Sequence, residues 1–126
     1  MKTFKIFQIH LTDAEVDTIN ETGDHFAVPK QAARVRLQFG TDNPKAADDL
    51  VNDAFTNGFF EHVANIRAND LEGVFEVGNI GPEENIERFS QMHSISVGDV
   101  ILDEDGKMWL TAQVGFQEVR KLEEAA

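Results

Sequence analysis

The chain has no cysteine, one tryptophan and only three prolines in 126 residues. Without cysteine there is no disulfide, no thiolate nucleophile and no Cys-ligated zinc or iron–sulfur site, which fits a reducing compartment. Long apolar runs are missing as well, and nothing approaches the roughly 20 residues that would span a bilayer. Residues 1 to 11 alternate polar and apolar side chains, where a signal peptide would need an unbroken apolar stretch and a small-residue cleavage site. The expectation is a mature start at Met1 and a cytoplasmic protein. Basic residues are scarce: 11 Lys and Arg stand against 23 Asp and Glu, for a net charge of −12. The imbalance grows along the chain, from 0 over residues 1–41 to −3 over 42–69 and −9 over 70–126. A field of that sign repels phosphate and anionic lipid, so direct binding to nucleic acid or a membrane is disfavoured and any partner is expected to be basic. The other reading of the acidity is solubility alone.

Hydrophobic residues make up 41% of the chain and phenylalanine occurs ten times. That is enough apolar area to offset the conformational entropy of one ordered domain, taken as residues 1–126. Residues 3 to 11 predict a strand whose slip at Ile6-Phe7 marks a bulge or a strand buried on both faces. Thr12-Asp13-Ala14-Glu15 matches a capping box. A short helix with Val16 and Ile19 inward is expected after it, ended by Gly23. Pro29 holds Val28 extended, and the alternation from Arg34 to Phe39 predicts a second strand with Val35, Leu37 and Phe39 inward. Gly40 to Pro44 predicts a turn, with Asn43 as N-cap and Pro44 at the first helical position. From Lys45 to Arg67, apolar residues recur at three- and four-residue spacing through Asn57-Gly58, and the unbroken phase predicts one long helix. Residues 70 to 79 read as a short helix or a turn. Pro82-Glu83-Glu84 opens another short helix with Ile86 and Phe89 inward. Val100-Ile101-Leu102, an Asp105-Gly106 turn, and Met108, Leu110, Ala112 and Val114 alternating inward predict an antiparallel hairpin. After it the chain turns toward Val119 and Leu122, and the tail from Glu123 to Ala126 is expected to fray. The fold class is α+β: a small mixed sheet with one long amphipathic helix, short helices and a C-terminal antiparallel hairpin.

No pattern in the chain carries a defined chemistry. Ser90, Ser94 and Ser96 lie near His93, but no G-x-S-x-G elbow accompanies them, and a histidine in such a stretch also serves as a polar cap. His10, His25, His62 and His93 show no metal-ligand spacing. Asp103-Glu104-Asp105-Gly106 is half of a calcium loop whose remaining ligand positions fall on Ile101 and Ala112, so a charged hairpin tip suffices. Gly73, Gly78 and Gly81 match no phosphate cradle. No cofactor or metal is implied. Trp109 lies on the opposite strand phase from Met108 and Leu110. It is either an exposed interface anchor or a residue packed under a helix from a sheet buried on both faces.

The segment Leu71-Glu72-Gly73-Val74-Phe75 to Phe116, with His93-Ser94-Ile95-Ser96-Val97-Gly98-Asp99-Val100-Ile101 and Gly115-Phe116 inside it, resembles small uncharacterised proteins of phages and mobile elements. It is also similar to the YodL-like domain, whose pattern runs S-x-S-V-x-D-V, a hairpin and G-F. The resemblance covers about the last 50 residues and implies a context, with no catalytic residue. Together with the acidity it leads to the expectation of a host-directed binding protein, in its sharper form a DNA mimic or inhibitor of a nucleic-acid-handling enzyme. The candidate binding residues are Glu83, Glu84, Glu87, Asp103, Glu104, Asp105 and Trp109. Two alternatives stay open: an enzyme whose site assembles around His93, Ser94 and Asp99, or an oligomeric structural or assembly protein.

Overall fold

A computed structural model describes residues 1–39, 43–113 and 115–120. The expected turn at Gly40–Asp42, the inward Val114, Leu122 and the C-terminal tail lie outside the described residues. In chain order the elements are β1 (Lys2–Ile9), α1 (Asp13–Thr22), a short 3-10 turn (His25–Ala27), α2 (Pro29–Phe39), α3 (Pro44–Thr56) and β2 (Phe60–Ala68). There follow α4 (Leu71–Asn79), a second 3-10 turn (Glu83–Asn85), β3 (Ile86–Arg88), β4 (Val100–Leu102), β5 (Met108–Thr111) and β6 (Phe116–Val119). The class is α+β. The six strands form one sheet in the order β3-β2-β1-β4-β5-β6, and every pairing is antiparallel rather than mixed.

Strand β1 is central, and its alternation explains why both of its faces are apolar. Phe4 and Ile6 face one side with Ala64, Ile66, Ala68 and Ile101, where α4 covers them through Val74 and Val77. Ile9 faces the other side with Val100, Leu110 and Val119, beneath Leu37 of α2 and Val51 and Ala54 of α3. The slip at Ile6/Phe7 is a register shift against β2: Ile6 stands opposite Ala64 and Phe7 opposite His62, which leaves Val63 as the extra residue.

Two predicted elements change type. Residues 34–39 belong to helix α2, because Pro29 supplies a first helical position and Lys30, Gln31, Arg34, Arg36 and Gln38 are good helix formers. Six alternating residues are too few to outweigh that. Val35 is half-buried and Phe39 is exposed, while Ala32 and Leu37 are buried. The long helix stops at Thr56. Asn57 caps it and Gly58 takes φ +71, after which the chain becomes β2. The helical phase ran on through the sequence because the bulge at Val63 breaks the two-residue alternation of β2. Val63, Ala64 and Ile66 are all buried on one side, and Val63 and Ile66 so imitate the three-residue spacing of a helix.

Smaller differences follow the same logic. Thr12 and Glu15 do form the capping box, and Gly23 ends α1 in the left-handed region, yet α1 buries no residue and Val16 is exposed. Residues 71–79 are a helix, N-capped by Asp70. Glu83 to Asn85, preceded by an extended Pro82, is a single 3-10 turn leading into β3, because pairing with β2 draws Ile86–Arg88 into the sheet, and Phe89 is exposed. The β4–β5 hairpin is present, but its turn spans Glu104, Asp105 and Gly106. Gly106 N–H donates to Asp103 O at 3.1 Å, and only Gly106 has positive φ, at +84. This is a type I turn followed by a left-handed glycine, so Asp105 needs no unusual backbone conformation.

Candidate functional site

The hairpin turn is built around one side chain. Asp103 Oδ1 accepts the backbone N–H groups of Asp105 and Lys107, both at 2.9 Å, and its Oδ2 accepts Trp109 Nε1–H at 2.9 Å. Burial pushes the Asp103 carboxyl up, but the bonds from Trp109 and the two amides outweigh it and hold the group below the usual aspartate range. The indole is thereby fixed. Trp109 is half-buried against the Phe4–Ile101 side of the sheet, which realises the reading of a sheet buried on both faces, and its remaining surface lines a groove of about 630 Å³. The groove has an apolar floor of Phe4, Leu71, Trp109 and Phe116.

Five carboxylates and one lysine, Lys2, also line it. Asp103 is committed to the turn. Glu104 Oε2 accepts Thr3 N–H at 3.0 Å, and Asp70 Oδ1 caps α4 by accepting Gly73 N–H at 2.7 Å. The side chains of Glu72 and Asp105 have no hydrogen bond or ion pair with any described residue. Asp103, Glu104, Asp105 and Trp109 of this lining are among the candidates the sequence singles out, and Asp70 and Glu72 are not. Their signal was local: Asp70 stands three residues before Gly73 as an N-cap, and Glu72 occupies the first turn of the helix that it starts.

Glu83, Glu84 and Glu87 do not join this groove. Beside the sheet's β3 edge, Glu84 and Glu87 line a separate depression of about 490 Å³ that Arg67 also lines. Strands β1 and β2 stand between β3 and the hairpin. Glu83 is paired with Arg88, whose guanidinium lowers the glutamate's pKa through a side-chain hydrogen bond, and Arg67 Nη2 reaches Glu84 O at 3.4 Å. The acids at residues 83–87 and those of the hairpin tip are thus two separate patches, and Arg88 partly neutralises the one at β3.

A second polar centre lies under the segment 89–99, which has no regular secondary structure. Gln8 of β1 faces it, fully buried at 0% exposure, with both its amide nitrogen and its amide oxygen hydrogen-bonded. Its Nε2 donates to His93 O at 2.9 Å and to Asp99 Oδ2 at 3.0 Å, and its Oε1 accepts His93 N–H at 3.2 Å. His10 Nε2 lies 3.4 Å from the same Oε1, and the His10 and His93 rings stack with centroids 5.2 Å apart. Asp99 ends a tight turn in which its own carboxylate accepts Ser96 N–H at 2.9 Å. Burial pushes the Asp99 carboxyl up to about 6, against the opposing pull of the Ser96 amide, His93, Gln8 and Arg34.

His93, Ser94 and Asp99 are thus neighbours, but not as a nucleophile and its base. His93 Nδ1 faces the Ser94 carbonyl oxygen at 2.9 Å, not its hydroxyl, and lies 4.0 Å from Asp99 Oδ2. The cavity beside Asp99, lined also by Arg34 and Gln38, is about 10 Å³ and admits one water at most. Among the described residues, no three His, Asp or Glu side chains are grouped to hold a metal ion, and no helix is long and apolar enough to cross a membrane.

Comparison with protein families, curated proteins and solved structures returns no match. The functional reading therefore rests on the two centres themselves, of which only the groove at Trp109 has room for a ligand larger than water.

Proposed function

We propose that this protein acts by binding a partner with a basic surface, and that the groove at Trp109 receives a cationic segment of that partner. The observation that carries the reading is the pairing of an apolar floor, Phe4, Leu71, Trp109 and Phe116, with the carboxylates of Glu72 and Asp105, which bond no other side chain among the described residues. Lysine and arginine present apolar stems and charged heads, and arginine also stacks on aromatic rings, so such a groove satisfies both halves of the side chain. The acidic excess over residues 70–126 adds a longer-range field that speeds encounter with a basic partner and turns away nucleic acid. In the phage or mobile-element context that the 71–116 resemblance implies, the partner would be a host protein with a basic groove, and the protein an inhibitor or DNA mimic.

Trp109 is the sole tryptophan, and there is no tyrosine, so its fluorescence reports on the groove without interference. Titration with an arginine-rich peptide should shift that emission, with affinity falling as salt rises from about 50 to 300 mM, because surface attraction is screened. An acidic peptide of equal length should leave it unchanged. If the emission does not respond to the basic peptide at millimolar concentration, or responds equally to both peptides, the groove is not a cation-binding surface and the acidity serves solubility.

A further inference from the structure

We propose that the segment from Phe89 to Asp99 is a proton-responsive strap, clamped to the central strand by Gln8 and loosened when the buried Asp99 carboxyl loses its proton. The ends of the strap are tied to the sheet: Phe89 N–H donates to Val63 O at 2.8 Å, and Gly98 N–H to Thr111 O at 2.9 Å. Between them the strap depends on Gln8, which bonds the main chain of His93 through both N–H and C=O, and on Ile95, which is 2% exposed in the core beside α4. Asp99 holds both parts together, because its Oδ2 takes one bond from the Gln8 side chain and one from the Ser96 amide.

Burial disfavours the carboxylate more than its two accepted hydrogen bonds favour it. The Asp99 side chain is only 7% exposed, both of its hydrogen bonds fall on Oδ2, and no described residue donates to Oδ1. The charged and titratable groups that face it are His93 from the strap and Arg34 from α2. Neither comes closer than the 4.0 Å of His93 Nδ1. An ionised Asp99 keeps two accepted hydrogen bonds and the pull of His93 and Arg34, which only partly offset its desolvation, and opening the strap rehydrates it. Burial places the closed-state pKa at about 6 against an ordinary 3.8, so the strap's closure is strongest below pH 3.8 and weakens as pH rises to about 6, above which the effect is constant.

His10 works in the opposite direction. Burial first, then His93, Arg34 and Lys30, lower its pKa below 6.5 against a smaller raising effect of Glu61. It therefore favours closure above pH 6.5 and loses that contribution as pH falls. A test must separate the two groups. Asp99→Asn retains an oxygen that can accept from Gln8 and Ser96, cannot ionise, and leaves His10 in place. Hydrogen exchange at the His93 and Ser96 amides, corrected for intrinsic rates, is measured for both proteins from pH 5 to 8. The ratio of wild-type to variant protection should fall about tenfold across that range, the factor expected from values of 3.8 open and about 6 closed. A ratio that stays constant overturns the proposal. Should the variant fail to fold, carbon NMR titration of the wild-type Asp99 carboxyl decides. A midpoint near 6 with the Ser96 amide shift following the same curve supports the strap. A midpoint near 4, or a Ser96 amide that does not follow, refutes it.

Discussion

Replacing Gln8 by leucine isolates the clamp from the packing around it. The two side chains are similar in volume, so the change opens little cavity, and what it removes is the amide. Three strap groups then lose a partner: the His93 N–H, the His93 C=O and one of the two bonds to Asp99 Oδ2. A buried polar group left unpaired costs roughly 1–3 kcal/mol. These sites are buried or part-buried, so about 1.5 kcal/mol each, or 4–5 in all, is a reasonable scale. Burying leucine in place of an amide returns up to about 2 kcal/mol. The net expectation is a loss of about 2–3 kcal/mol, a large share of the roughly 5–15 kcal/mol that holds a typical domain. Urea unfolding followed by circular dichroism and Trp109 emission should show the midpoint falling by about 1–2 M with little change in slope, for a slope near 1.5 kcal/mol/M. A leucine variant as stable as the wild type would mean that Gln8 does not hold the strap, and the account of segment 89–99 would have to be abandoned.

Other consequences are more local. Gly98 sits at φ +97, which alanine adopts only under strain, so Gly98→Ala should cost about 1–3 kcal/mol in a denaturant series, whereas Gly106→Asn at φ +84, with a residue that tolerates positive φ better, should cost less than about 1. Gly78→Ala places a methyl 2.5 Å from Ile95 Cδ1 and should destabilise by about 1–3 kcal/mol; adding Ile95→Val, which removes that Cδ1, should recover part of the loss, and a purely additive double mutant would contradict the contact. For Asp99→Asn, the native pKa of about 6 lies above the unfolded 3.8, so wild-type stability falls as pH rises between them; the variant should gain on the order of 3 kcal/mol relative to wild type from pH 3 to pH 8, and parallel pH curves would refute the assignment. In the groove, Glu72→Lys with Asp105→Lys should abolish the response of Trp109 to a basic peptide while circular dichroism stays unchanged, and the same reversal at Glu84 and Glu87 should leave that response nearly intact.

Elements fixed by local chemistry could be read directly from the chain. The capping box at Thr12 and Glu15, the Asn43 cap before Pro44, the left-handed Gly23 and the Val100–Leu110 hairpin each depend on residues a few positions apart, and all are present. The misread stretches depend on distant partners. Residues 34–39 alternate like a strand, but Leu37 is buried against the sheet face that carries Val100 and Leu110, more than 60 residues away. Strand β2 looked helical because its bulge is set by the register against β1. A periodicity is a statement about which side chains share a face, and a two-sided strand with one bulge can share a face at the intervals that a helix does.

The two polar centres differ in the same way. The turn acids and Trp109 were visible because the Asp-Gly signal located the hairpin, and the hairpin located them. Gln8 gave no signal at all, since a glutamine in an alternating strand ordinarily points to solvent. It is buried because β1 is the central strand and segment 89–99 passes over it, an arrangement that exists only after residues 85 apart have met. Asp99 stands out in the sequence only beside His93 and Ser94, as part of an alternative assembled site, and its burial, which follows from the same crossing, is not legible there. The sequence therefore shows the hairpin-tip part of the groove, which is local, and conceals both the lining brought to it from β1 and α4 and the strap, whose parts are assembled. That difference bears on how each is tested. Groove substitutions can be read by ligand response with the fold intact, whereas strap substitutions act on folding itself and need a readout, the Asp99 titration, that distinguishes a proton from a lost contact.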